Sequence, residues 1–223
     1  MNNSKMLDSA DVYDLVMGLS VLCRSPLIAD IAKVVGDLSP PDITHALNRK
    51  QLASKLWLLE QLHLHVGGEL PFVTVLGGWY GVLSALLLND PRFQIGQICS
   101  VDIDPSCAPV AELLNRRFGA NRQFSTKTAD MYQLDPDFYR ADQNSIVINT
   151  SCEHIPDVAT WLLTLPMNQL VLLQSNDYRA VPEHISCVDS AKELADKARL
   201  SKVIMTGSLN TGKYTRFMVI GRR

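Results

Sequence analysis

The chain has 223 residues, 47% of them hydrophobic and 20% charged, with 21 basic against 23 acidic side chains for a formal charge of −2. That is enough chain for one domain of α/β size with a substantial core, and it excludes a disordered segment, which needs low hydrophobicity and a large charge excess. A pI near 6.2 also argues against a dedicated nucleic-acid binder, which carries a strongly basic footprint, although Arg49, Lys50 and Lys55 leave room for a local contact.

From the N-terminus, apolar residues recur at helical spacing in Val12, Leu15, Val16, Leu19 and Leu22, and again in Leu52, Leu56, Leu59, Leu62 and Leu64. Pro26 and the break Ser39-Pro40-Pro41-Asp42 divide this region, with Ser39 or Asp42 as the expected cap of the next helix. Residues 1–66 are therefore expected to form a helical segment of about three helices. After Gly67-Gly68 the pattern changes to short apolar strands alternating with helices. Strands are predicted at Phe72–Leu76, Ile98–Asp102, Phe124–Thr128, Ser145–Asn149 and Gln169–Gln174, with a final antiparallel pair at Lys202–Thr206 and Tyr214–Ile220. Helices are predicted from the glycine-rich turn through Leu88, at Pro105–Phe118, around Ile155–Leu163 and at Ala191–Arg199. This alternation implies an α/β domain over residues 67–223, a mostly parallel sheet with helices on both faces and ligands at the carboxyl ends of its strands.

Five scattered cysteines without a CxxC pair, Cys23, Cys99, Cys107, Cys152 and Cys187, make a disulfide framework unexpected and a reducing cytoplasm the natural setting. Residues 1–16 lack a secretory pattern, and no run approaches the roughly 18 apolar residues that span a bilayer. A cytoplasmic protein without a membrane partner is expected; the oligomeric state is left open.

Three features fall at the ends of successive predicted strands. The first is the turn Leu76-Gly77-Gly78-Trp79-Tyr80-Gly81, whose glycines permit a sharp bend and close backbone approach to a ligand, or serve only to make the turn. The second is Asp102, 25 positions after Gly77, placed to accept hydrogen bonds from both ribose hydroxyls of a nucleoside. Asp104, directly before Pro105, suits a helix cap and leaves Asp102 free for the ligand. The third is Ala129-Asp130-Met131, where the carboxylate would accept from an adenine amine and Met131 would lie against the ring; an exposed loop aspartate is the alternative.

The order of these features resembles the class I S-adenosylmethionine-dependent methyltransferases, Rossmann-like and seven-stranded, across roughly Phe72 to Gly221 and including the terminal hairpin. The resemblance implies S-adenosylmethionine as cofactor, its methionine part on Gly77, Gly78 and Gly81, its ribose on Asp102 and its adenine on Asp130 with Met131. The family turn usually reads acid-x-Gly-x-Gly-x-Gly, whereas Val75 stands in the acid's place and Trp79 in that of the second glycine. Trp79, with Tyr80 beside it, then either walls a substrate pocket or packs as core.

Predicted strand four runs into Asn149-Thr150-Ser151-Cys152-Glu153-His154-Ile155-Pro156, the most polar cluster in the chain. In the family this position faces the departing methyl group. A subset that methylates amines carries Asn/Asp-Pro-Pro-aromatic there, of which only Asn149 matches. Asn149 is expected to orient the substrate, with His154 as general base and Glu153 second; Glu153 alternatively sits in a helix first turn, favoured by the dipole. Cys152 is expected to be structural. Strand five leads to Asn176, Tyr178 and His184, taken as substrate contacts or as a hydrogen-bond network ordering the loop. Cys152, His154, His184 and Cys187 include zinc-type ligands, but their spacing is irregular and no metal site is expected.

The expected activity is methyl transfer to a nitrogen or oxygen nucleophile on a small molecule or a protein. Aminocarboxypropyl transfer from the same cofactor and a non-catalytic nucleoside- or protein-binding module are the alternatives.

Overall fold

The computed structural model describes residues 8–140 and 142–223. Seven strands form one sheet: β1 (Glu69–Leu76), β2 (Gln94–Asp102), β3 (Phe124–Thr128), β4 (Ile146–Asn149), β5 (Leu170–Asn176), β6 (Lys202–Asn210) and β7 (Thr215–Arg222), in the order β3-β2-β1-β4-β5-β7-β6. Pairings among β1 to β5 are parallel, and β7 runs antiparallel between β5 and β6. The chain order reverses at β1, which has β2 on one side and β4 on the other, opening the crevice where ligands of such sheets bind. Leu76 pairs with Val101 and with Asn149, so Gly77, Asp102 and Thr150 stand at one height at the edge of the sheet.

Every predicted strand is present, several with longer ends. Among the described residues four helices precede the sheet: α1 (Ser9–Leu22), α2 (Pro26–Asp37), α3 (Ile43–Ala46) and α4 (Arg49–His65). Neither Ser39 nor Asp42 is the side-chain cap expected: Ser39 donates its hydroxyl back to the Val35 carbonyl, and Asp42 caps nothing. Asn48 does the work for α4, its amide oxygen accepting the Lys50 and Gln51 N–H groups at 2.9 and 3.0 Å. Leu58, Leu59 and Leu62 of α4 are buried in the core cluster against β1, β4 and β5, each contributing about 1.5–3 kcal/mol of apolar burial.

The remaining helices are α5 (Val82–Asn89), α6 (Cys107–Leu114), α7 (Arg116–Gly119), α8 (Val158–Leu162) and α9 (Ala191–Ala198). Those of α8 and α9 cover the second face of the sheet, where Trp161, Leu162 and Leu194 pack with Val171, Leu173 and Phe217. A third cluster, including Val34, Ile43, Tyr80, Val82 and Val110, ties α2 and α3 to α5 and α6. Buried Asp30 on α2 adds ion pairs to Arg116 and Arg117 at 3.0 and 2.5 Å. Among the described residues no helix is long and apolar enough to cross a membrane.

Two predicted helices are shorter than expected. The Pro105–Phe118 helix begins at Cys107 and breaks at Asn115, whose fully buried amide donates to the Gly81 and Ala111 carbonyls. The Ile155–Leu163 helix begins at Val158 because Asp157 caps it, accepting from Ala159 and Thr160 N–H, while Cys152–His154 forms a separate 3-10 turn.

Candidate active site

Two adjoining cavities open at the carboxyl ends of β1, β2 and β4. The larger, about 740 Å³, is lined by the glycine turn, the α4 edge and the ends of β4, β5 and β7. The smaller, about 260 Å³, lies over β2 and β3. Gly77, Asp102, Ser151 and His154 line both.

The turn after β1 shows why its residue types are what they are. Gly77 has φ +61°, and an added Cβ would meet only Ser151, at 3.5 Å from its hydroxyl oxygen. Gly78 lies so close to β2 that a Cβ would overlap the Ser100 hydroxyl. Gly81, expected to touch the cofactor, serves packing instead: it has φ +71°, and its Cβ position falls 2.8 Å from Asn115 Nδ2 and 2.9 Å from the Ala111 Cβ. It lines neither cavity. Gly81→Ala should lose about 2–4 kcal/mol, from left-handed strain of about 1 kcal/mol and overpacking of about 1–3 kcal/mol; an unchanged urea midpoint would show that α6 yields.

Trp79 adopts the left-handed backbone that glycine favours, with φ +48°. Its N–H donates to Asp102 Oδ2 at 2.7 Å, and its indole stacks on Tyr80 with ring centroids 5.2 Å apart. Half-buried Trp79 therefore lines the larger cavity, whereas Tyr80 is 4% exposed and is chiefly a core residue beside it.

Asp102 holds two loops at once, since its second oxygen accepts the Asp104 N–H at 3.0 Å. Each oxygen keeps a further lone pair, and the residue is half-buried beside both cavities. Asp104 is not the helix cap expected: it accepts the Ser106 N–H at 2.8 Å in the turn ahead of α6, whose N-cap is Ser106, without a side-chain cap bond. In the smaller cavity, Asp130 accepts from Tyr132 N–H at 2.9 Å and so fixes the 3-10 turn that presents Met131. Ile103, 69% exposed, lines the same cavity as Met131.

Asn149, expected to orient an acceptor, is committed otherwise. It is buried, its oxygen accepts the Ser151 N–H at 2.9 Å, and its amide nitrogen lies 3.6 Å from Met131 Sδ. It therefore belongs to the wall of the smaller cavity. Glu153 is not a free base or a helix-dipole residue: it points inward, 4% exposed, where Oε1 accepts from Asn176 Nδ2 at 2.6 Å and from Arg216 Nη1 at 2.8 Å. Arg216 also donates to the Thr150 carbonyl and to Ser54 Oγ, which joins β4, β5, β7 and α4 around one buried ion pair. Asn176 is thus a bridge, its oxygen accepting the Tyr178 N–H at 2.8 Å.

His154 and His184 converge beside Glu153, their rings 4.7 Å apart edge to face. Each Nδ1 lies against a backbone carbonyl, that of Glu183 at 3.0 Å for His154 and that of Tyr178 at 2.6 Å for His184. A carbonyl only accepts, so each Nδ1 carries the proton and each Nε2 keeps a lone pair. The Tyr178 ring packs on Tyr214 and under Lys213 Nζ, 4.3 Å from the centroid. Cys152 is fully buried at the base of this region, and burial drives its thiol far up from the usual range, so it supplies no thiolate nucleophile.

Sequence reasoning missed Arg216, Ser54 and Lys55. Arg216 carries a visible signal, a cation entering the apolar run Phe217–Ile220. Lys55, read as room for a nucleic-acid contact, instead lines the larger cavity and donates to Gln51 at 2.7 Å. Burial, with the charge of Arg216 second, lowers its pKa to about 7 from the ordinary 10.5. The unfolded chain then binds more protons between these values, so this group makes stability rise with pH from about 7 toward 10.5. In Lys55→Met that rise should flatten when urea midpoints are compared at neutral and alkaline pH; a slope equal to that of the parent would refute the shift.

No protein-family profile matches the chain, and no curated protein matches its sequence. Solved structures match its fold. N-methyltransferase NodS from Bradyrhizobium japonicum WM9, in complex with S-adenosyl-L-homocysteine, superimposes with a TM-score of 0.60 at 11% identity over 87% of this chain and 98% of its own. A geranyl diphosphate methyltransferase, in complex with its diphosphate and sinefungin, gives 0.56 at 14% over 86% and 81%. The CurJ carbon methyltransferase gives 0.55 at 9% over 99% and 73%.

Proposed function

We propose that this chain, which has the class I S-adenosylmethionine-dependent methyltransferase fold, binds S-adenosylmethionine across the two cavities and transfers its methyl group to a small molecule bearing an anionic group. The observation that carries this reading is Asp102, held at the switch point by the N–H groups of Trp79 and Asp104, with lone pairs left on both oxygens and a cavity on either side. The donor set fits the cofactor. Asp102 would take the ribose hydroxyls, Ile103 and Met131 would flank the adenine with Asp130 at its edge, and bare Gly77 and Gly78 would admit the methionine chain. Val75, where the family has an acid, is 1% exposed and apolar, so we assign the amino-acid end to the polar edge of α4, at Asn48, Gln51 and Lys55.

The cofactor supplies an electrophilic methyl group on a sulfonium. The chain supplies orientation and a proton acceptor: His154, its Nδ1 occupied by the Glu183 carbonyl, offers Nε2 to the N–H or O–H of the acceptor, with His184 beside it. Glu153 holds Arg216 and Asn176 and acts as a positioning residue. With Arg216 neutralised by Glu153 and Lys55 shifted toward its neutral form, Lys50 and Lys213 still outnumber Asp102 around the larger cavity, which favours an acceptor carrying a carboxylate or phosphate.

The test is incubation of the purified protein with methyl-labelled and with aminocarboxypropyl-labelled S-adenosylmethionine and a panel of anionic acceptors. Label from the methyl group in the product, with S-adenosylhomocysteine released, is expected. Methylthioadenosine as by-product would favour aminocarboxypropyl transfer, the reading for which Val75 and Trp79 speak. Absence of any transfer, with cofactor bound, would favour the non-catalytic module.

A further inference from the structure

We propose that Glu153, His154 and His184 form a binding site for one divalent transition-metal ion at the acceptor end of the larger cavity. One ligand atom from each of these residues lies within 4.8 Å of those of the other two. Donors bonded at 2.0–2.2 Å to a shared ion stand about 3 Å apart, so side-chain rotation of no more than about 2 Å closes the set.

Two independent features of the same residues point to a ligand. The first is Glu153 Oε2, a carboxylate oxygen buried without any hydrogen-bond partner, while Oε1 is held by Arg216 and Asn176. An orphaned buried carboxylate oxygen is costly unless an ion or water meets it. The second is the pair of carbonyls on the two Nδ1 atoms. Such a bond fixes the tautomer, aims the ring and leaves Nε2 as the donor, the outer arrangement found around metal-ligating histidines. The carboxylate is braced in the same way by Arg216 and Asn176.

Two imidazoles and one carboxylate on a single side of an ion leave further coordination positions open. His154 is exposed toward the cavity, so those positions face the space where an acceptor would lie, and an oxygen donor of the acceptor would complete the shell. This role rests on the reading of the cluster as the acceptor end; the site itself does not. With the ion in place His154 Nε2 would be a ligand and no longer the proton acceptor; the ion would hold the acceptor oxygen and lower the pKa of its proton, which would then leave to solvent.

The test is titration of Co²⁺ into the full chain after chelator treatment, followed by its visible ligand-field bands. One saturable Co²⁺ per chain is expected, with affinity lowered about tenfold or more in His154→Ala and in His184→Ala, and unchanged in the control His63→Ala/His65→Ala. His154 is exposed and His184 half-buried, and neither belongs to the buried ion pair, so these variants carry the test even if Glu153→Gln fails to fold. No saturable band, or equal affinity in the parent and both site variants, would overturn the site. Cofactor titration on the same metal-free sample reads the methyl-transfer assignment separately, so the two can fail independently.

Discussion

Asp102→Ala is expected to weaken S-adenosylhomocysteine binding by about 10- to 150-fold, the equivalent of the roughly 1.5–3 kcal/mol carried by hydrogen bonds to a charged group. Two contributions add. The ribose loses its acceptor, and the N–H groups of Trp79 and Asp104 lose the carboxylate that joins the first two loops. Asp102→Asn should be nearly as damaging, because an amide has one accepting oxygen and must turn its NH₂ toward one of those two donors. Calorimetric titration of the folded variants checks this, and affinities equal to that of the parent would remove Asp102 from the cofactor site.

The largest stability effect is expected at the Glu153–Arg216 pair, whose side chains are 5% and 7% exposed and 2.8 Å apart. Arg216→Met leaves a carboxylate buried with only Asn176 to meet it, and should destabilise the fold by about 3–5 kcal/mol. Glu153→Gln/Arg216→Met removes both charges and should recover much of that loss, since replacing a whole buried pair costs far less than breaking it. Urea unfolding of the two variants measures the difference. A single variant losing less than about 1 kcal/mol would mean that water reaches the pair.

The sheet was legible because its signal is local. Four strands are short apolar runs closed by turn residues, and each lies where the pattern placed it; Phe124–Thr128, more polar but with two β-branched threonines, has identical bounds. Helix ends were less so, because tertiary contacts decide them: Asn115 breaks a helix in order to reach the Gly81 carbonyl, a residue 34 positions away. The placement of Asp102 and Asp130 beside the cavities was legible for the same reason as the strands, since Asp102 ends β2 and Asp130 stands two residues beyond β3. The cluster of Glu153, His154 and His184 was not. Which way Glu153 points depends on Arg216, 63 residues later in the chain, and no spacing rule connects Glu153-His154 to His184. The pairing of Lys55 with the same cavity likewise needs α4 laid against the sheet, which helical periodicity predicts as a buried face without naming its neighbours.

In the proposed complex one cofactor spans both cavities with its reactive end at the histidine pair. A crystal structure of the protein with S-adenosylhomocysteine tests it most directly. Adenine is expected between Ile103 and Met131, both ribose hydroxyls on Asp102, and the sulfur in the larger cavity facing Glu153, His154 and His184. A ligand seated away from Asp102, or one whose sulfur points away from that cluster, would contradict it.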